Sequence, residues 1–194
     1  MENTRFAYFS NLEKTLNDAE AMERSAKLNA DPRVFWDLAE PHKQKLYNFI
    51  QKSLSFSTEA DDVFQETLLR GLKYFPSYLR EKSFSAWLFA IAHNEIRKYV
   101  KKSHLMSPLP LMEELICRDE RVSLDLVQEV YRFATSMKPK HKEIFFLFYD
   151  SGFTITEISR ITSIREGNVK FILNRARRTL RECFGEQDEK PRSL

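Results

Sequence analysis

The sequence predicts an all-α fold, two small helical domains joined by a linker, with the C-terminal one a helix-turn-helix. Three observations carry this prediction. Only 4 of the 194 residues are Gly and 7 are Pro, too few turn-formers for a fold of many short strands. Apolar residues recur at helical spacing in one segment after another. The helical pattern breaks at length between Ser103 and Pro110, where two prolines interrupt it. At 42% hydrophobic and 30% charged, the composition is that of an ordinary soluble chain. No apolar run approaches the ~20 residues that cross a bilayer, so no membrane insertion is expected. The start, Met-Glu-Asn-Thr-Arg, lacks the basic-then-apolar layout of a secretory signal. Cys117 and Cys183 form no metal or redox motif and suit a reducing cytoplasm.

The elements follow in order. Residues 1–30 are mixed and weakly periodic, and are expected to form an N-terminal extension. Asp31-Pro32 pairs an N-cap with a first-turn proline, opening a helix through Val34, Phe35, Leu38 and beyond. Ser57 to Asp61 is a second start, with acids where the helix dipole favours them. Phe64, Leu68, Leu72 and Phe75 then keep helical spacing until Pro76 stops the run. A third helix, 84 to about 102, places Phe84, Trp87, Leu88, Ile91 and Ala92 on one apolar face. With it the first domain spans 31–102. Residues 103–123 are the linker. Helices are expected over 124–137, 140–149, 154–162 and 166 to about 184, giving a second domain of 124–184 and a polar tail of 185–194.

Charge is distributed unevenly along this framework. The formal net charge is only +3, but residues 70–102 hold 8 basic and 2 acidic groups, net +6. Residues 137–194 hold 12 and 8, net +4, while 31–69 (4 and 7) and 103–136 (3 and 6) are each net −3. Two basic blocks on helical sequence are the electrostatic footprint of a protein that meets nucleic acid twice. In the first block, Asn94, Arg97, Lys98, Lys101 and Lys102 repeat at helical spacing on a face other than the apolar one. Tyr74, Phe75, Tyr78 and Phe84 lie close by, so cations could neutralise phosphates while rings stack on unpaired bases. A solvated stripe over an aromatic core fits the same spacing. On the preceding helix, Asp62, Gln65, Glu66 and Leu69 form an acidic face with an apolar member, suited to docking a basic partner.

The second block carries the helix-turn-helix. Thr154 and Glu157 make a capping box at the start of a short helix. Ile155, Ile158, Ile164 and Val169 have the spacing by which two helices pack across a tight turn. The second helix turns Val169, Ile172, Leu173 and Ala176 inward. Its N-terminal part would enter the major groove, giving base-edge contacts to Arg165, Glu166, Asn168 and Lys170 and phosphate contacts to Arg175, Arg177 and Arg178.

Both lobes together resemble a bacterial sigma factor of the extracytoplasmic-function (ECF) type, a member of the sigma-70 family. The first lobe resembles region 2 in Asp62-Val63-Phe64-Gln65-Glu66-Thr67-Leu68-Leu69-Arg70 and in Phe84-Ser85-Ala86-Trp87-Leu88-Phe89-Ala90-Ile91-Ala92-His93-Asn94. The second resembles region 4 in Met137 to Phe145 and in Glu166-Gly167-Asn168-Val169-Lys170 followed by Leu173-Asn174-Arg175-Ala176-Arg177. The resemblance implies a protein that binds RNA polymerase core and directs initiation at minus-10 and minus-35 promoter elements. It implies docking of Asp62, Gln65, Glu66 and Leu69 on the β′ clamp, and contact with the β flap. It places His93, Asn94, Arg97, Lys98, Lys101 and Lys102, with the loop 73–83, at the minus-10 element, where flipped bases would be held. It places the helix after Ile164, Phe171 included, at the minus-35 element. An anti-sigma factor is a further partner that the family often has. Departures from the family pattern are Phe171 and Ile172 in place of Ser and Arg, Asn168 in place of Thr, Arg165 in place of a small polar residue, and Lys98 in place of Asp. Phe171 and Ile172 leave fewer polar contacts for reading minus-35 DNA.

Two other readings remain open at the level of sequence. One is a stand-alone helix-turn-helix regulator, though such a protein needs neither the acidic face nor the basic helix after Trp87. The other is a sigma-like interaction protein that does not read promoters. No enzyme, metal or cofactor is expected, because His42, His93, His104 and His141 are scattered and no nucleophile motif or phosphate loop is present.

Overall fold

A computed structural model describes residues 31–55, 57–106 and 126–184, together with Glu23 and Asn29. The described residues are helical with short connections. In order they form α1 (Pro32–Ala39), α2 (Lys43–Ser53), α3 (Ala60–Tyr74), α4 (Phe84–Met106), α5 (Leu126–Ser136), α6 (Pro139–Tyr149), α7 (Ile155–Thr162) and α8 (Glu166–Phe184). The expected linker after Met106, most of the N-terminal extension and the tail lie outside the described residues.

Local chemistry explains the boundaries. Asp31 caps α1, its Oδ1 accepting from the Arg33 N–H at 2.8 Å, with Pro32 in the first turn. The helix does not run on as the sequence pattern suggested. Pro41 has no N–H to give, and Glu40–His42 tightens into a 3-10 turn before α2. The next helix starts at Ala60, within the expected start at 57–61 and with Asp61 and Asp62 in its first turn, and Ser57 Oγ accepts from the Glu59 backbone N–H at 3.3 Å. Helix α4 passes Lys102 and continues to Met106, since nothing before Pro108 breaks it.

The first lobe is built around Phe35, Phe49, Phe75 and Leu88, all at most 1% exposed. Gly71 on α3 allows the closest approach. A Cβ there would meet Phe35 Cζ at 2.9 Å and Leu88 Cδ1 at 3.2 Å. The loop after α3 is held by Asn29, whose Nδ2 donates to the carbonyls of Phe75 (2.9 Å) and Tyr78 (2.8 Å). Its Oδ1 accepts from Arg80 Nε at 2.9 Å. A residue from the expected extension therefore fastens the aromatic loop. In the second lobe Ile144, Leu147, Ile158, Val169 and Leu173 are at most 1% exposed. The capping box of Thr154 and Glu157 is present in both directions, at 3.3 and 2.9 Å. Ser163 takes the left-handed conformation (φ 57°) that turns α7 into α8.

The lobes are not separate in this structure. α4 packs along α7, α2 packs along α6, and the buried residues of both form one continuous core. The Phe89 ring of α4 meets Phe153 edge-on with centroids 4.8 Å apart.

Candidate nucleic-acid and polymerase interface

The structure divides the predicted site residues into an exposed set and a set already engaged. On α4, Asn94, Arg97, Lys98, Lys101 and Lys102 are exposed along one side. Lys98 reaches back to Glu95 at 2.7 Å, and Arg70 pairs with the same carboxylate at 3.0 Å and with Glu66 at 2.6 Å. Glu95, an acid within the cationic run, sits at 7% exposure beneath them and braces the stripe from below. The Glu95 and Glu66 carboxylates hold the Arg70 guanidinium above its usual range.

His93 stands apart from this stripe in the packed arrangement. Its side chain is buried, with Nδ1 2.5 Å from the Glu143 carboxylate of α6, itself 4% exposed. It faces the second lobe rather than the outer stripe, so in this arrangement it cannot touch DNA. Helical periodicity explains the difference. His93 lies one residue before Asn94, about 100° round the helix toward Ala92 and Ile96, both at most 1% exposed.

Other groups also cross between the lobes. Lys52 of α2 bonds to Asp150 and, at 2.9 Å, to the Tyr131 hydroxyl, with its ammonium over the Tyr131 ring. Burial opposes the Lys52 charge, but the Asp150 and Tyr131 partners outweigh it and lift its pKa. Lys142 of α6 donates to Ser55 Oγ at 2.7 Å, and burial pushes its ammonium pKa down despite the neighbouring Glu143. These inter-lobe partners were missed in the sequence, because each pair is separated by 79 to 98 residues and no local spacing links them. Between the lobes lies an open cleft of about 920 Å³ that Arg97, Lys98 and Lys101 share with Lys140 and Ser163.

On α3, Asp62 and Gln65 are exposed, Glu66 is half-buried by its pairing with Arg70, and Leu69 is 60% exposed. The acidic and apolar face is thus present on the outside of the first lobe.

Arg165 just before α8 and Glu166, Asn168, Lys170, Phe171, Arg175, Arg177 and Arg178 on it are all exposed, while Val169, Ile172, Leu173 and Ala176 face the core. Ile172 therefore takes no part in the outer face, and Phe171 is the apolar departure that stands on it. Arg177 is held by Tyr149, donating from Nε to its hydroxyl at 2.7 Å, with the guanidinium 5.5 Å from the Phe148 ring centroid. Arg178 pairs with Glu182 at 2.7 Å. Near this face burial lowers the His141 pKa, and Arg175, Lys140 and Lys138 lower it further. No His, Cys, Asp or Glu cluster that could hold a metal occurs among the described residues. No described helix is long and apolar enough to cross a membrane.

Comparison with known proteins agrees with this arrangement. Residues 38–105 match the model of sigma-70 region 2 and residues 128–180 that of sigma-70 region 4. The chain is 28% identical over 167 residues to the ECF RNA polymerase sigma factor SigW of Bacillus subtilis, covering 78% of this chain and 89% of that protein. It is 31% identical over 124 residues to EcfG of Rhodopseudomonas palustris, covering 62% of this chain and 68% of that protein. Among solved structures, the fold is similar to that of the sigma factor RpoE of Bartonella quintana, crystallised with the anti-sigma factor NepR. That match has a TM-score of 0.60 at 23% identity and covers 78% of this chain and 98% of the other. It is also similar to CnrH, solved with the cytosolic domain of CnrY, at a TM-score of 0.61 and 18% identity, over 87% and 97% of the two chains. With region 2 and region 4 matched in order and relatives covered along most of their length, the chain belongs to the ECF sigma factors of the sigma-70 family.

Proposed function

We propose a division of labour in which each lobe carries one DNA-reading face and the first lobe also carries the polymerase dock. As an ECF sigma factor the chain directs promoter-specific transcription by RNA polymerase. In the finer reading, Asp62, Gln65, Glu66 and Leu69 dock on the β′ clamp, and the second lobe meets the β flap. Asn94, Arg97, Lys98, Lys101 and Lys102, with the loop 73–83, hold the minus-10 strand after it opens. Arg165, Glu166, Asn168, Lys170, Phe171 and Arg175 face minus-35 bases and phosphates in the major groove, flanked by Arg177 and Arg178. The domain limits 31–102 and 124–184, the linker 103–123, a non-catalytic role and a cytoplasmic location belong to the same reading.

The packed lobes are a resting state in this account. The two promoter elements lie about 25 base pairs apart, roughly 85 Å along the duplex at 3.4 Å per step. A compact body of about 150 residues is only about 40 Å across. The lobes must part for both faces to engage one promoter, and parting would free His93 for the minus-10 strand. Structures in which relatives were solved with NepR and CnrY support a protein antagonist as a partner that could hold the closed form.

The observation that carries the reading is the pair of exposed cationic helix faces on α4 and α8, one per lobe. The test is transcription in vitro with purified core polymerase on a genomic promoter library. Discrete start sites should be enriched, and the triple change Asp62→Ala, Gln65→Ala, Glu66→Ala should weaken core binding while leaving the chain helical. No enriched start site, or unchanged core binding, contradicts it.

A further inference from the structure

The run Phe171-Ile172-Leu173 is split by the fold. Ile172 and Leu173 are 6% and 1% exposed, whereas the Phe171 ring is 64% exposed, the most exposed large apolar side chain described. The helical period accounts for the split, since Val169, Ile172, Leu173 and Ala176 share the inward side and Phe171 stands opposite. Its neighbours one turn away are Gly167 and Asn168 before it and Asn174 and Arg175 after it. Gly167 brings no side chain, and a Cβ built on it would touch nothing within 4 Å. None of these neighbours covers the ring, which stays 64% exposed. The rest of this face is mainly cationic, with Arg165, Lys170 and Arg175 exposed beside the ring and one acid, Glu166, at the start of the helix.

An apolar ring in the middle of a cationic face calls for a ligand that is anionic at its rim and apolar within. The DNA major groove has that pattern. Phosphates line its edges, and the C5-methyl of thymine is the apolar group that its floor presents. A protein surface that filled the same spot would have to be acidic around an apolar pocket, and the cations already have phosphates to meet if α8 lies in the groove. We infer that Phe171 is a specificity-determining residue that packs on a thymine methyl within the minus-35 element. The inference rests on the reading of α8 as the minus-35 helix and gives that helix a base preference that its polar residues alone would not supply.

The test uses holoenzyme, formed from the full chain and core polymerase, and promoter duplexes enriched from a library randomised across the minus-35 element. Each thymine in the enriched sequence is then replaced by deoxyuridine, which removes only the methyl group. One such replacement should weaken binding of the native protein about four-fold, as expected for losing one buried methyl contact. Phe171→Ala should bind the unmodified duplex about as weakly and be indifferent to the same replacement, while Phe171→Leu recovers part of the difference. The salt dependence of Phe171→Ala should match that of the native protein, whereas Arg175→Ala, which removes a phosphate contact, should lower the slope by about one. Deoxyuridine that costs nothing, or that costs both proteins equally, overturns the inference while leaving the groove reading intact. So does a loss of core-polymerase binding by Phe171→Ala in the absence of DNA, which would assign the ring to a protein contact. If no duplex is enriched and Arg175→Ala changes nothing, the groove reading fails and the inference fails with it.

Discussion

Removing one member of the His93–Glu143 pair strands the other in a site where both are buried. His93→Leu leaves a carboxylate without its partner between two packed helices, and breaking a buried pair in this way costs about 3 kcal/mol. Glu143→Gln keeps a hydrogen-bonding group in place and should cost less. Replacing both by Leu removes the stranded charge, so most of the loss should be recovered. Urea unfolding of His93→Leu, Glu143→Leu and the double Leu variant measures this directly. If the double change costs the sum of the singles, the residues do not act as a pair and the inter-lobe contact has been misassigned. At the same scale, the position of His93 was the point at which the family pattern and the helix period disagreed. The pattern grouped it with the DNA-facing residues, while its neighbours at i−1 and i+3, Ala92 and Ile96, are core. Its partner lies 50 residues away, a separation at which no sequence spacing can announce a contact.

Among the helices, the most legible were those whose ends carry their own chemistry. Thr154 with Glu157 and Asp31 with Pro32 each marked a start that the structure retains. The break at Pro41 and the extension of α4 to Met106 were less legible, since both depend on how far a helix runs between breakers. The packing of α1 against α3 gives the sharpest test at this scale. Intrinsic propensity favours Ala over Gly in a helix interior by about 1 kcal/mol. At Gly71, however, a Cβ would stand 2.9 Å from a Phe35 ring that is itself fully buried, and overpacking of this kind costs about 1–3 kcal/mol. Crowding should win, so Gly71→Ala is expected to lower the urea midpoint. A raised midpoint would show that α1 sits farther from α3 than described. The two cationic faces were readable because they repeat at helical spacing. Their bracing by Glu95 and Tyr149 was not, since the sequence shows a charge and a ring but not what lies beneath them.

As a whole molecule, the chain joins two exposed cationic helix faces to a body that holds them together. The near-neutral net charge of +3 conceals this, because the cations are concentrated on α4 and α8 while exposed Asp62 and its acidic neighbours lie on α3. The joining contacts, Phe89 on Phe153, Lys52 with Asp150 and Tyr131, Lys142 with Ser55 and His93 with Glu143, all run between the two lobes. They add several polar contacts to the continuous apolar core, and polar pairs exchange readily for water when the lobes part. That mixture suits the proposed parting of the lobes.

The central claim, that one chain closes at rest and opens to span a promoter, is tested most directly by an inter-lobe distance. Dyes placed through Arg33→Cys on α1 and Arg181→Cys on α8, both exposed positions, with Cys117 and Cys183 changed to Ser, report it by energy transfer. The account predicts high transfer in the free chain, consistent with a body about 40 Å across. It predicts near-complete loss of transfer in holoenzyme bound to a promoter whose elements lie about 85 Å apart. Transfer that stays high on a promoter that is being transcribed would contradict it.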